Sequence, residues 1–129
     1  MSRRLIVPVA VALLLGAPSA RAHHNMSVLF DFNNRVTITG TLSRFDFRNP
    51  HIQLFVEAKE GDQTVTWQLE GPPPSFFRER DIEKSDFEQA FGKGVTAEAS
   101  RARDGSRSGL LRTMTLPGGR LVSACPQNC

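Results

Sequence analysis

His23, His24 and His51 are the chain's only histidines, and the first two stand side by side. If His23 carried a free α-amine, that amine and its own ring nitrogen would chelate a cation. Alternatively, the ring of His24 joins the amine and the intervening amide nitrogen in a planar set. Nitrogen-rich tetragonal arrangements favour Cu(II), which also heads the divalent affinity order. His51 is the third imidazole, available to such a site if the amino-terminal segment folds back toward it. The chemistry therefore requires that the chain be cut between Ala22 and His23.

Residues 1–22 have the order of a cleavable secretory signal. Arg3 and Arg4 supply the positive start, residues 5–15 are apolar, and Ala20-Arg21-Ala22 ends the segment in an A-x-A cleavage pattern. The apolar run is shorter than the roughly 20 residues a spanning helix needs, so no stable membrane span is expected after cleavage. Ser2-Arg3-Arg4 faintly resembles a twin-arginine signal, which leaves the export route open. A periplasmic or secreted location follows. Removing the leader also changes the charge. Three of the sixteen basic residues leave with it and none of the thirteen acidic ones, so thirteen of each remain. A nucleic-acid binder should keep a basic surplus. This chain does not.

Other reactive groups read more plainly. Cys125 and Cys129 lie in a short tail, residues 125–129, where an oxidising compartment favours a tight disulfide, or else a free tail, over soft-metal binding. Met26 offers a thioether close to the histidine pair. Asp46 and Glu70 are separate carboxylates, expected in surface ion pairs rather than in acid–base catalysis. Gly105 and Gly109 are expected in one turn, Gly118 and Gly119 in another. Arg101, Arg103, Arg107, Arg112 and Arg120 crowd the later chain and read as a solvated face. No catalytic constellation is visible.

The elements that must position these groups are mostly strands. Val36, Ile38 and Leu42 alternate with polar neighbours, and Phe45 and Phe47 continue on the other parity. The slip between Leu42 and Phe45 marks a bulge or bend, with Gly40 nearby to ease it. Asn49-Pro50 makes a corner. His51 then opens a second strand on the face opposite Ile52, Leu54 and Val56. Glu60-Gly61-Asp62 turns this strand into a third, with Val65, Trp67 and Leu69 inward. After residues 71–74, a turn over 75–81 and a helix capped by Ser85 and Glu88 are expected, with Gly92 as its stop. Val95, Ala97 and Ala99 form a further strand, and residues 110–116 and 121–122 complete the set. The expected fold is mainly β: a small OB-like barrel of five to six strands, with a short helical segment between strands three and four. It would occupy residues 23–124 as a single domain.

Several segments together are similar to one family of exported bacterial proteins, the "domain of unknown function 6152". They are Ala22-His23-His24, Gly40 with Phe45-Asp46-Phe47-Arg48-Asn49-Pro50-His51, Trp67-Gln68-Leu69-Glu70, Arg103-Asp104-Gly105-Ser106 and Gly119-Arg120. Phe47 stands where the pattern leads one to expect tryptophan, and the Cys125–Cys129 tail is peculiar to this chain. The resemblance implies an exported β-rich domain and brings no activity with it. Two functions remain open. One is a periplasmic binding protein holding Cu(II) through His23, His24 and His51. The other is a non-metal module of the cell envelope, binding a protein or small ligand. An oxidative copper enzyme is the weaker third, since tyrosine is absent and no substrate groove can be read.

Overall fold

Apolar residues spaced two apart bury one face only if their strands pair and the sheet curls. The computed structural model describes residues 25–126. Its elements are α1 (Met26–Leu29), β1 (Phe30–Asp46), β2 (Gln53–Glu60), β3 (Gln63–Glu70), α2 (Pro74–Arg78), α3 (Lys84–Ala90), β4 (Gly94–Ala102), β5 (Ser108–Thr115) and β6 (Leu121–Ser123). The sheet runs β3-β2-β1-β4-β5-β6, and β3 also pairs with β5. That last pairing is parallel, matching Gln68 with Ser108, Leu69 with Gly109 and Glu70 with Leu110. It closes the ring. The same edge of β5 then pairs with β6 further along, from Thr113 to Thr115. The result is the expected OB-like barrel.

β1 is long because it serves two partners. Its first part pairs with β4 and its second with β2, overlapping at Gly40 and Thr41. Register with β2 shifts between Leu42 and Arg44, which is the bulge anticipated from the phase slip. At Gly40 a Cβ would sit 2.0 Å from the Glu57 carbonyl oxygen, so the chains pass there at a distance only glycine permits.

The core lies inside the ring, with Leu42, Leu54, Val56, Leu69, Ala97 and Met114 fully shielded. Phe77 of α2 and Phe87 of α3 plug one end, their rings edge to face at 5.9 Å. Phe47 packs on both, at 6.1 and 5.6 Å.

Three local expectations change. α3 is capped by Glu83 and Asp86, whose carboxylates accept reciprocally from the opposite backbone N–H groups, and Ser85 lies inside the helix. A carboxylate serves this end as well as a hydroxyl and also complements its positive dipole. Gly109 belongs to β5 rather than to a turn. β2 begins at Gln53, leaving His51 in the corner before it. The turn over 75–81 is made by most of α2, which starts one residue earlier at Pro74, and Gly92 takes positive φ just past α3.

Candidate functional site

His51 is held between two chain corners. The Asn49-Pro50 corner delivers it, and backbone bonds tie its neighbour Ile52 to the far side: Ile52 N–H donates to Pro72, and Gly71 N–H donates to the Ile52 carbonyl. The ring follows the backbone. His51 Nδ1 lies 3.1 Å from the Gly71 carbonyl oxygen and 3.2 Å from Glu70 Oε1. Two acceptors facing one nitrogen require Nδ1 to carry the proton, so the neutral ring has its lone pair on Nε2. Histidines that ligate metals are commonly oriented this way, by a carbonyl or carboxylate on the other nitrogen. The ring is one-third exposed (33 %), open enough for a ligand and fixed enough to be pre-aimed.

Two cavities flank this ring. One, of about 420 Å³, is walled by Met26, Phe32, His51, Leu110, Arg112 and Cys125, with residues 71–73 and 124–126 around them. The other, of about 210 Å³, sets Leu29 against Pro50, His51, Gln53 and Glu70. The amino-terminal strap, residues 25–29, thus contributes one lining residue to each cavity, Met26 to the larger and Leu29 to the smaller. Its docking has a clear cause. Arg103, in the β4–β5 turn, donates from Nε to the Ser27 carbonyl at 2.9 Å, and its backbone N–H donates to the Leu29 carbonyl at 2.9 Å. Asn25 caps α1 by accepting from Ser27.

Of the three predicted ligands, the structure therefore places His51, and it places the strap that leads to the other two. His23 and His24 lie outside the described residues, as does the predicted leader. Among the described residues, no three His, Cys, Asp or Glu side chains gather into a metal-holding group. Cys125 is disulfide-bonded, and the chain's one other cysteine, Cys129, lies outside the described residues. Asp46 pairs with Arg48 at 3.6 Å, and Glu70 pairs with His51.

The late arginines do not form one solvated face. Each latches a different part of the shell. Arg101 lies over Trp67, Arg107 clasps Glu60, Arg112 reaches Ser100 and Glu98, and Arg120 bonds Asp86. They leave from β4, a turn, β5 and a second turn, so closeness in sequence does not make them neighbours in space. Glu60 accepts from both Arg107 and the Trp67 indole, which holds its carboxyl below the usual value. Sequence reasoning missed this clasp and the Arg103 latch. Closure between β3 and β5 brings Arg107 to Glu60, and the pairing of Phe30 with Ala102 brings Arg103 to the strap.

What the fold and this corner define is a small OB-like β-barrel with an oriented histidine at one pole, approached by both ends of the described chain. The chain belongs to the Family of unknown function (DUF6152), whose model matches residues 11–112. No curated protein and no solved structure matches it.

Proposed function

We propose that the protein is an exported, periplasmic binding protein that holds Cu(II) between its processed amino terminus and His51. One observation carries this reading: Met26, three residues after His23, lines the same cavity as an imidazole whose Nδ1 is already tied down. A chain advances at most about 3.3–3.6 Å per residue, so the Cα of His24 lies within about 7 Å of that of Met26. That short tether lets the amine and the His23 or His24 imidazole approach the cavity that His51 lines. The nitrogen-rich set suits Cu(II). The family match begins at residue 11, inside the leader this reading requires.

The competing reading takes the larger cavity itself as the site. Its volume falls at the small end of the range of ligand pockets, and its wall is mostly apolar with Arg112 and His51 as polar groups. A small amphipathic anion would fit that chemistry without any metal.

The test uses the protein processed in the periplasm. Mass spectrometry should find His23 first. Cu(II) titration followed by electron paramagnetic resonance should show a nitrogen-dominated, tetragonal spectrum. An extra residue before His23 should weaken binding by about 100-fold or more, and His51→Ala by about tenfold, with a changed spectrum. Identical spectra and affinities in all three proteins would remove the metal reading and leave the cavity.

A further inference from the structure

The larger cavity gathers a second kind of ligand that the nitrogen site does not use. Met26 brings a thioether, Cys125 a sulfur and His51 an imidazole to the lining of one cavity. We propose that the reduced protein carries a Cu(I) site in this cavity, formed by Met26 Sδ, the Cys125 thiolate and His51 Nε2. The proposal shares with the Cu(II) reading only the metal and His51; its sulfur ligands are separate.

Each ligand is placed by the fold. Cys125 follows β6 directly, and its position is fixed by the Ala124 N–H donating to the Arg112 carbonyl at 2.8 Å and by its own N–H donating to Ser123 Oγ at 3.3 Å. Met26 sits in the strap that Arg103 docks, and its three rotatable bonds let the thioether adjust. His51 is aimed by Gly71 and Glu70. Thioether, thiolate and imidazole in a largely apolar, partly shielded hollow form a soft set, and soft sets select Cu(I) over Cu(II).

The disulfide makes the site conditional. A dithiol reductant attacks it as a thiolate, forms a mixed disulfide, and resolves it with its second sulfur. The reductant leaves as its own disulfide, having passed two electrons and two protons to Cys125 and Cys129. Cu(I) then displaces the Cys125 proton to solvent, with no change in its oxidation state. A disulfide oxidant reverses the exchange: it takes two electrons and leaves as a dithiol, the Cys125–Cys129 bond re-forms, and Cu(I) is released unchanged. The copper affinity of this pole is thereby set by the thiol poise of the compartment.

The experiment is an anaerobic competition for Cu(I) against bicinchoninate, using the full processed chain. Reduced protein should bind one Cu(I), and oxidised protein should bind it at least about 100-fold more weakly. Met26→Leu should weaken binding about tenfold and Cys125→Ser more, while Cys129→Ser should leave it largely intact. X-ray absorption at the copper edge should show sulfur neighbours. The double change His23→Ala, His24→Ala separates the two readings, because it should abolish Cu(II) binding and spare Cu(I). Equal Cu(I) affinity in reduced and oxidised protein, no effect of Met26→Leu, or loss on Cys129→Ser would each overturn the proposal. The last would instead mark a chelate made by the tail alone.

Discussion

At the scale of single residues, position in the closed barrel gives side chains their chemistry more than their type does. Glu60 shows this well. It ends β2 at a turn, where a glutamate is ordinarily a solvated surface group. Here Arg107 donates to its Oε2 from Nε and Nη2 at 3.0 and 2.8 Å, and the Trp67 indole donates to Oε1 at 3.3 Å. The guanidinium hydrogen bond, followed by its charge and the indole, lowers the carboxyl below its ordinary value of 4.5. A carboxyl depressed in the folded state adds stability above its unfolded pKa and loses it as pH falls through the folded one. The clasp should therefore hold at pH 4.5 and open only in more acid solution. Trp67 is the chain's one tryptophan, so its fluorescence reports the event directly. We expect an acid transition centred below 4.5 that Glu60→Gln removes, while a midpoint at or above 4.5 would contradict the clasp. The histidine corner was partly legible in the sequence, because Asn49-Pro50 announces a bend and His51 follows it. Its Nδ1 partners were not, since Gly71 lies twenty residues on and meets His51 only after β2 and β3 have paired.

Among the elements, those defined by local pattern were readable and those defined by a distant latch were not. Alternation located β2, β3 and β4, and the change of parity between Leu42 and Phe45 located the bulge in β1, because period and parity are properties of neighbouring residues. The cap of α3 was misplaced by two residues because Ser85-x-x-Glu88 and Glu83-x-x-Asp86 both offer a reciprocal cap, and the carboxylate pair wins. The strap carries no such pattern. Its four-residue helix is too short to stand alone, and its main tie to the barrel is Arg103, seventy-six residues from Ser27. Arg103→Ala deletes the exposed hydrogen bond to Ser27 and the 3.8 Å ion pair with Asp31, together worth about 1–2 kcal/mol, so the barrel itself should remain folded. The backbone bond from Arg103 to Leu29 survives the change, but the strap loses its side-chain clamp. Hydrogen exchange at residues 26–30 should accelerate while exchange in β1 to β5 stays slow. If the Cu(II) reading holds, the Arg103→Ala spectrum should also shift toward that of His51→Ala, since the amine is then no longer held near the ring. Unchanged exchange in the strap would show that apolar contacts alone dock it.

For the molecule as a whole, the decisive event is closure of the ring between β3 and β5. Three residue pairs make that seam, and they join parts of the chain about forty residues apart. Alternation reveals which face each strand buries but not which edges meet, so the barrel class could be read while the seam could not. Closure also explains the placement of the site. It brings the corner at residues 71–73 beside Leu110, Leu111 and Arg112, and the end of β6 then returns the chain to the same pole at Cys125. Gly109 sits in the middle of the seam opposite Leu69. A Cβ there would lie 2.9 Å from the Ala99 Cβ and 3.0 Å from the Ser100 carbonyl oxygen, both fixed by the backbone of β4. Neither atom belongs to a flexible side chain that can swing away, so Gly109→Ala must push β4 and β5 apart. Forced overpacking of this kind costs about 1–3 kcal/mol, and the strained seam puts this case at the upper end. Gly94→Ala is the matched control. It is also a strand glycine, its added methyl would meet nothing within 4 Å, and it should be neutral or slightly stabilising. Urea unfolding should show a lower midpoint for Gly109→Ala alone. Because the seam frames the cavity around His51, the same variant should also lose copper affinity if the Cu(II) reading holds, whereas Gly94→Ala should keep it. Equal stability of the two variants would mean that the barrel tolerates an opened seam, and that the pole is organised by the strap and tail instead.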